Sequence, residues 1–219
     1  MYTLIDLEER NMSWADSAIP AEVRHKYEFH NYGHALEILH MSCVEEWGDV
    51  LAALRQFEIK HSDISVAGGS ESPIPKKFSD ILFPRGWKEI KFSGDLHVKV
   101  FHRSGAMIEE RVVTKYIDGH NIDYVKGKIA FDLEWNSKDQ TFDRDILAMR
   151  TFFECGLIDA GVIVTRSESL NDVFRDLNVL AKYGASTTWM GKLTPRLDSR
   201  RQGGCPVLAV GIKKECVHG

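Results

Sequence analysis

Three carboxylates lie close together in the middle of the sequence, at Asp123, Asp132 and Glu134. From Lys128 to Trp135 polar and apolar residues alternate, and alternate side chains of a strand point to the same face. Asp132 and Glu134 are therefore predicted to share one face of a strand. An unpaired buried charge is costly, so two acids on one buried face need a positive partner. A divalent metal ion held by oxygen ligands would supply it, and the alternative is an edge strand whose acids face water.

The segments after the acids predict a helix and a second strand. Asn136 or Ser137 can cap the helix, and apolar residues then recur at helical spacing. A short apolar, β-branched run at residues 159–165 is typical of a buried strand. The order strand, helix, strand indicates a mixed α/β fold with a central sheet flanked by helices. The helix is expected to pack on the sheet through Phe142, Ile146, Met149 and Phe153.

Further segments complete the expected layout. A long helix is predicted from about residue 33 to residue 57, and another from residue 169 to residue 183. Residues 61–77 are rich in Ser, Gly and Pro and predict a loop, and strand character begins within residues 86–97. Glu46 lies near the edge of the apolar stripe of the first helix. It is the candidate for a fourth acid at the metal site if that helix borders the site, and the alternative is a solvated glutamate.

Length and composition indicate one soluble domain. The chain has 219 residues, 43% hydrophobic and 27% charged, which is enough for one substantial core, so residues 1–219 are predicted to form a single domain. No stretch has the apolar length of a membrane span, and the N-terminal segment is too acidic for a signal peptide. The cysteines lack the close pairs of a zinc site and are expected to be reduced. These features predict a cytoplasmic protein that does not bind membranes.

Charge is distributed unevenly along the chain, whose net charge is −4. Residues 1–72 carry 13 Asp and Glu against 5 Lys and Arg, a balance of −8. Residues 182–219 carry 7 Lys and Arg against 2 Asp and Glu, a balance of +5. Positive potential is thus concentrated late in the sequence, where a polyanion could bind, and an ordinary solvated face is the alternative.

The acid-bearing segment reads DYVKGKIAFDLE at residues 123–134 and is followed by the predicted helix and by DAGVI at residues 159–163. Two further stretches belong to the same pattern, GWKE at residues 86–89 and GGCPVLAVGI at residues 203–212. With these motifs the chain resembles the BglII/BstYI-like type II restriction endonucleases, which have the PD-(D/E)xK nuclease core. The resemblance covers roughly residues 30–212.

The resemblance implies a type II site-specific deoxyribonuclease that hydrolyses both strands of double-stranded DNA at a short palindromic site. Its cofactor would be Mg²⁺, one or two ions per active site, bound by Asp123, Asp132 and the main-chain carbonyl of Leu133. Glu134 would hold metal or orient the attacking water. The chain has Asp132 and Glu134 where family members often carry Glu and Gln, and Ile122 where a proline often precedes the first acid, so the general base stays open. The catalytic core would span about residues 86–165.

Partners follow from the same resemblance. It implies a homodimer whose two-fold axis matches the palindrome, and a cognate DNA methyltransferase that protects the host genome. Relatives centre their sites on GATC, which gives a weak expectation for the recognition sequence. Two other functions stay open, namely a nuclease of DNA repair or recombination without fixed sequence specificity, and a non-catalytic DNA-binding protein. The presence of all three acids argues against the second.

Three polar segments are candidates for DNA contact within this interpretation. The longest covers about residues 186–204, is basic and glycine-ended, and is expected to be a DNA-contacting loop, with a flexible surface loop as the alternative. The other two directly follow the predicted strands, where α/β folds place ligands. Basic and hydroxyl side chains of these segments can bind phosphates or base edges. The candidate residues are Asn136, Ser137, Lys138, Arg166, Ser167, Ser169, Lys192, Arg196, Arg200 and Arg201.

Overall fold

The computed structural model describes residues 17–65 and 72–219. Its strands are β1 (Tyr27–Tyr32), β2 (Ile59–Lys60), β3 (Lys88–Phe101), β4 (Met107–Lys126), β5 (Ile129–Glu134), β6 (Ala160–Arg166), β7 (Val207–Ile212) and β8 (Val217–His218). Within the described residues, six of them form the central sheet in the order β1-β7-β6-β5-β4-β3, and β2 pairs with β8 in a small second sheet. The predicted mixed α/β fold with a central sheet flanked by helices is confirmed.

The central sheet is parallel in its middle and antiparallel at both sides. β5, β6 and β7 run parallel, whereas β1 is antiparallel to β7, and β4 is antiparallel to both β5 and β3. The carboxyl ends of the three parallel strands therefore meet at one edge of the sheet. All residues of β5 are buried, and the strand lies between β4 and β6, so the acids do not belong to an edge strand. We refer to the edge where β5, β6 and β7 end as the C-terminal edge.

The helices pack on both faces of this sheet. They are α1 (Ala21–Lys26), α2 (Ala35–Ser42), α3 (Val44–Gln56), α4 (His61–Ser65), α5 (Pro73–Leu82), α6 (Thr141–Glu154), α7 (Leu170–Asp176) and α8 (Met190–Asp198). Short 3-10 turns are formed by Phe83–Arg85, Leu180–Tyr183 and Lys214–Cys216.

Two hydrophobic cores, one on each face of the sheet, fix the orientation of β5. Ile129, Phe131 and Leu133 belong to one core, and Ala130 belongs to the other. Because side chains alternate along a strand, Asp132 and Glu134 lie on the same face as Ala130. The core on that face also contains the apolar side chains of α6, namely Phe142, Ile146, Ala148, Met149 and Phe152. The predicted order of acid-bearing strand, packed helix and buried strand is confirmed.

Three sequence predictions of local structure need correction. The helix expected over residues 33–57 is two helices, α2 and α3, because Cys43 between them has the non-helical angles φ −123° and ψ 52°. The loop expected over residues 61–77 contains α4 and the start of α5, and residues 66–71 lie outside the described part. The helix expected over residues 169–183 ends as α7 at Asp176, and a separate 3-10 turn follows.

The late basic segment is also different from the prediction, because much of it is helix α8 and not a loop. Met190, Leu193 and Leu197 are buried at helical spacing on the same core as α6. Gly191 and Pro195 disfavour a helix locally, but burial of this apolar stripe outweighs their preference.

Among residues 17–65 and 72–219, no helix is long and apolar enough to cross a membrane.

Candidate active site

The hairpin between β4 and β5 brings the first acid beside the second. Tyr124 pairs with Phe131 across the hairpin, so Asp123 lies next to Asp132. The backbone N–H of Asp123 donates to Oδ1 of Asp132 at 3.0 Å. The connecting turn uses Gly127 at φ +52°, a left-handed conformation in which glycine carries no Cβ penalty. The tight turn predicted from the sequence thus sets the register of the two acids.

The second and third acids are buried although both are ionisable. Asp132 and Glu134 are only 4% and 6% exposed, whereas Asp123 is exposed. Glu134 Oε2 lies 3.1 Å from the hydroxyl of Thr141, the first residue of α6, which holds this carboxylate at the C-terminal edge. The structure therefore brings Asp123, Asp132 and Glu134 into one neighbourhood, at the face of the sheet that α6 covers.

A fourth acid, Asp145 on α6, joins this group and was missed by the sequence analysis. It is 2% exposed, and its nearest positive group is Arg144, whose Nε donates to Asp145 Oδ1 at 3.0 Å. The same guanidinium approaches Glu134 Oε1 at 3.8 Å. A signal was present in the sequence, since Asp145 falls between Phe142 and Met149 within the inward-facing stripe of the helix. An acid inside an apolar stripe is the feature that could have marked it. We call Asp123, Asp132, Glu134 and Asp145 the acidic cluster.

The acids of this cluster perturb one another. Burial raises the pKa of Asp132 well above its usual value, and the charges of Asp145, Asp123 and Glu134 raise it further. Burial and the charge of Glu134 raise the pKa of Asp145 to about 8, against the opposing effect of Arg144. Partial desolvation raises the pKa of Asp123, and the charges of Glu134 and Glu89 add to this. With all four acids ionised, the cluster would hold more negative charge than its surroundings neutralise, so the metal-free acids tend to keep protons.

The donor chemistry of the acidic cluster fits a hard divalent cation. Asp132 Oδ2 and Asp145 Oδ2 are buried and have no hydrogen-bond partner within the described residues, so each offers a free oxygen. In the same part of the chain, no three His, Cys, Asp or Glu side chains are grouped closely enough to hold a metal ion as they stand. Asp132 Oδ1 accepts from the amide of Asp123, and Glu134 is held by Thr141 and Arg144. Metal binding would thus require at least one acid to change rotamer.

Two other predicted metal ligands lie differently. Leu133 occupies β5 between the acids, with its buried side chain in the core on the opposite face. Glu46 is not brought to the acidic cluster. Its carboxylate lies against Gly127, where an added Cβ would clash with Glu46 Oε1. That turn is at the opposite end of β5 from Glu134. Because α3 packs beside the turn and not beside the C-terminal edge, Glu46 stays away from the acidic cluster.

Asn136, Ser137 and Lys138 form a short segment at the C-terminal edge, directly after the acids. The Ser137 carbonyl accepts from the Thr188 amide at 2.9 Å, and an isolated bridge joins Lys138 to Thr187. The Lys138 side chain is exposed, whereas the buried Oδ1 of Asn136 has no hydrogen-bond partner among the residues described. This segment therefore borders the acidic cluster and is tied to the start of the late basic segment.

Arg166, Ser167 and Ser169 lie at the end of β6 but are largely internal. Arg166 and Ser167 are 1% and 4% exposed. The Ser169 hydroxyl accepts from the amide of Lys214 at 3.1 Å. Arg166 and Ser167 consequently do not project from the surface as the sequence analysis expected of base-contacting residues.

The basic residues of the late segment are mostly paired with acids of the α6 region. Arg196 Nε donates to Asp143 Oδ1 at 3.1 Å, and Arg201 forms an ion pair with the same carboxylate. Lys192 Nζ lies 3.8 Å from Asp139 Oδ2. Arg200 is exposed at φ +58° and lines a cavity of about 530 Å³ near the amino end of β7, away from the C-terminal edge. The structure thus does not gather these four residues into one basic surface.

The chain matches a known protein family. A family model described as restriction endonuclease BglII/BglIII matches residues 27–212, which include the acidic cluster and the whole central sheet. No curated protein sequence matches the chain.

Proposed function

We propose that this chain, which belongs to the BglII/BglIII restriction endonuclease family, hydrolyses both strands of double-stranded DNA at a short palindromic site with Mg²⁺ as cofactor. Family membership makes it a nuclease that acts on DNA, and the type II reaction at a fixed site is our proposal. A homodimer would place one active site on each strand, because a two-fold axis matches the symmetry of a palindrome. A cognate DNA methyltransferase would protect the host genome.

One observation carries this proposal, namely the acidic cluster at the C-terminal edge. Buried acids that raise one another's pKa are destabilising when they are ionised without a bound cation, and such perturbed groups are concentrated at functional sites. The free oxygens of Asp132 and Asp145 fit a metal that prefers oxygen ligands. The family match independently favours DNA as the substrate.

Each residue of the cluster has a proposed part in the reaction. Asp123 and Asp132 would hold the metal together with the Leu133 carbonyl, and Glu134 would either hold metal or orient the attacking water. Bound Mg²⁺ supplies positive charge that polarises the phosphate and acidifies water. Arg144 is 65% exposed and touches Glu134 and Asp145, so it can leave these acids and bind a DNA phosphate.

Digestion of a sequenced plasmid tests the proposal. Purified protein with Mg²⁺ should give discrete fragments whose sequenced ends share one palindromic site, since recognition by a two-fold dimer fixes both cuts. EDTA and the Asp132→Asn variant are the controls and should leave the plasmid intact.

The other outcomes separate the remaining candidate functions. A smear of fragments with unrelated ends would indicate a nuclease of repair or recombination without fixed specificity. DNA binding with no cleavage in any divalent metal would indicate a non-catalytic DNA-binding protein and would overturn the proposal.

A further inference from the structure

A cavity of about 300 Å³ lies at the C-terminal edge, on the opposite face of the sheet from the acidic cluster. Arg166, Asn171, Tyr183 and Trp189 are among the residues that line it. Arg166 follows Val164 by two residues on β6, and Val164 belongs to the core opposite α6. The cavity is therefore a separate feature from the site of the acids, but it opens at the same edge.

Arg166 is a buried cation without an anionic partner. It is 1% exposed, and among residues 17–65 and 72–219 no carboxylate pairs with it. Its guanidinium carbon lies 6.0 Å, 5.5 Å and 5.2 Å from the ring centroids of Trp135, Phe174 and Tyr183. These rings stabilise the guanidinium charge only partly, so a buried anion would be bound favourably.

Free hydrogen-bond donors point to an acceptor ligand. Arg166 Nε donates to the Thr188 carbonyl at 3.1 Å and Nη2 donates to the Thr187 hydroxyl, which leaves other guanidinium N–H groups for a ligand. Trp189 Nε1 is buried and has no hydrogen-bond partner in the part of the chain described. Asn171 can add an amide N–H, and no acid lines the cavity among those residues. Such a set of donors suits a phosphate group, whose oxygens only accept.

Strand pairing and hydrogen bonds link the residues around the cavity to those around the acidic cluster. Thr165, the neighbour of Arg166, pairs with Glu134 in the sheet, and its hydroxyl donates to the Glu134 carbonyl at 2.8 Å. The loop that holds Arg166 also binds the segment after the acids, since the Asp139 amide donates to the Ser186 carbonyl at 3.0 Å. An anion in the cavity would thus be separated from the acidic cluster by this loop and by the end of the sheet.

We propose that this cavity binds a phosphate group of the DNA backbone and so positions the duplex on the C-terminal edge. This inference rests on the proposed function, because it takes DNA as the ligand. Arg166 then contributes affinity that is independent of sequence, in contrast to a residue that reads a base.

Asn171→Asp tests the proposal because it adds a negative charge to the lining without touching the aromatic rings around Arg166. The matched control is Asn178→Asp, the same change at an exposed position just beyond α7. A second variant, Trp189→Phe, removes the indole N–H and keeps an aromatic ring. Circular dichroism verifies that each variant is folded.

The measurement is the affinity for a short duplex in EDTA at several salt concentrations. Each phosphate contact contributes about 0.9 to the slope of log K against log salt, so Asn171→Asp should lower the slope by about 1 and Trp189→Phe should weaken binding severalfold. Asn178→Asp should keep the parent slope. Equal slopes for Asn171→Asp and Asn178→Asp would overturn the proposal, as would a loss confined to one base position.

Two further measurements distinguish the source of the phosphate and the source of a failure. The protein is titrated with inorganic phosphate while its tryptophan fluorescence is recorded, and sodium chloride of equal ionic strength is the control. A phosphate-specific change that Asn171→Asp abolishes, combined with an unchanged DNA slope, would assign the cavity to free phosphate and overturn the DNA proposal. Parent protein that cuts DNA while all slopes agree refutes only the cavity, whereas parent protein that neither binds nor cuts DNA refutes the proposed function.

Discussion

At the scale of single residues, the acids of the cluster differ in what balances their charge. Asp132 has one oxygen bonded to a backbone amide and one oxygen free among the described residues, whereas Asp145 has Arg144 beside it. Arg144 is the cation that the structure itself supplies, and it is largely exposed. A guanidinium in high dielectric contributes little to neutralising buried acids, so a metal ion remains the stronger partner.

The first prediction concerns the two acids predicted to bind metal. Asp123→Asn and Asp132→Asn should abolish cleavage, because an uncharged amide oxygen binds a divalent cation much more weakly than a carboxylate does, and should leave DNA binding in EDTA intact or tighter. Removing negative charge beside phosphate favours binding. Cleavage assays and gel shifts on the same duplex test this, and full activity of Asp132→Asn would refute the site assignment.

The second prediction concerns Asp145 and pH. Its folded pKa of about 8 lies above the ordinary carboxyl value, so the folded metal-free protein keeps a proton that the unfolded chain releases near about pH 4. Stability in EDTA should therefore fall as pH rises from about 4 to about 8. Asp145→Asn cannot lose a proton there and should be the more stable protein at about pH 8, by roughly 1–3 kcal/mol.

Thermal unfolding at several pH values measures this difference. The control is Asp176→Asn, an exposed acid at the end of α7. Parallel pH profiles for the parent and Asp145→Asn would contradict the assignment of the fall to this residue.

At the scale of elements, α6 and α8 are joined by ion pairs, and the basic residues of these pairs are ones that the sequence predicted to contact DNA. Arg196 is 14% exposed at its side chain, pairs with Asp143, and lies 6.0 Å from the ring centroid of Phe142. Its guanidinium is thus part of the contact between two helices. A DNA contact by Arg196 would first require these interactions to break.

The third prediction compares two arginines of this region. Arg196→Ala should lower the free energy of unfolding by about 1–3 kcal/mol, because it removes a largely buried side chain that packs on Phe142 and bonds Asp143, although Arg201 still pairs with that carboxylate. Arg200→Ala should change it by less than about 0.5 kcal/mol, since Arg200 is exposed. Chemical denaturation of both variants decides the matter, and equal stabilities would mean that the Arg196 pair contributes nothing.

The long hairpin of β3 and β4 is a second element whose properties follow from its pairing. Within the part of the chain that the structure describes, β4 pairs with β5 at Tyr124, Val125 and Lys126, and its remaining length pairs with β3 alone. Large apolar side chains are exposed on this part, and a two-stranded ribbon is marginal in water. They are Leu96, Val100, Phe101, Met107, Ile108, Val112, Val113 and Tyr116.

The fourth prediction is that the outer hairpin opens independently of the rest. Amides of residues 95–118 should exchange with deuterium faster than those of β5, β6 and β7 by at least about tenfold, because only local contacts protect them. Exchange measured by mass spectrometry at peptide resolution tests this. Equal protection would show that something covers the hairpin in solution.

At the scale of the whole molecule, charge and symmetry bear on how DNA is approached. The basic part of the chain is partly neutralised by Asp139, just before α6, and by Asp143 on α6, and the C-terminal edge holds both the acidic cluster and the cavity of Arg166. Under the two proposals, one edge of the sheet would bind both the metal and a backbone phosphate. A single copy presents one such edge, which suffices for one strand.

The fifth prediction is that two copies assemble on a palindromic site. Light scattering should give a protein mass of twice the 24.9 kDa chain on a duplex that carries the whole site. A duplex with only half of the site serves as the control, and the protein should cleave it poorly. A monomer that cleaves both strands at the parent rate would contradict the dimer.

The sequence by itself determined the strand, helix, strand order and the positions of Asp123, Asp132 and Glu134. These features depend on local periodicity, which sets the face on which each side chain lies, and on a turn at Gly127 that fixes the register of the hairpin. The family match over residues 27–212 agrees with the motifs that pointed to it.

Only the tertiary structure decided which other residues reach that site. Asp145 joins the cluster because α6 crosses back over β5, and Glu46 does not because α3 packs at the hairpin turn. Arg166 is enclosed by the ring of Trp135, from the end of β5, and by the rings of Phe174 and Tyr183, which follow it in the chain, and Arg196 is bound by Asp143, 53 residues earlier. Such partners are selected by long-range packing, which no local pattern of charges or apolar residues encodes.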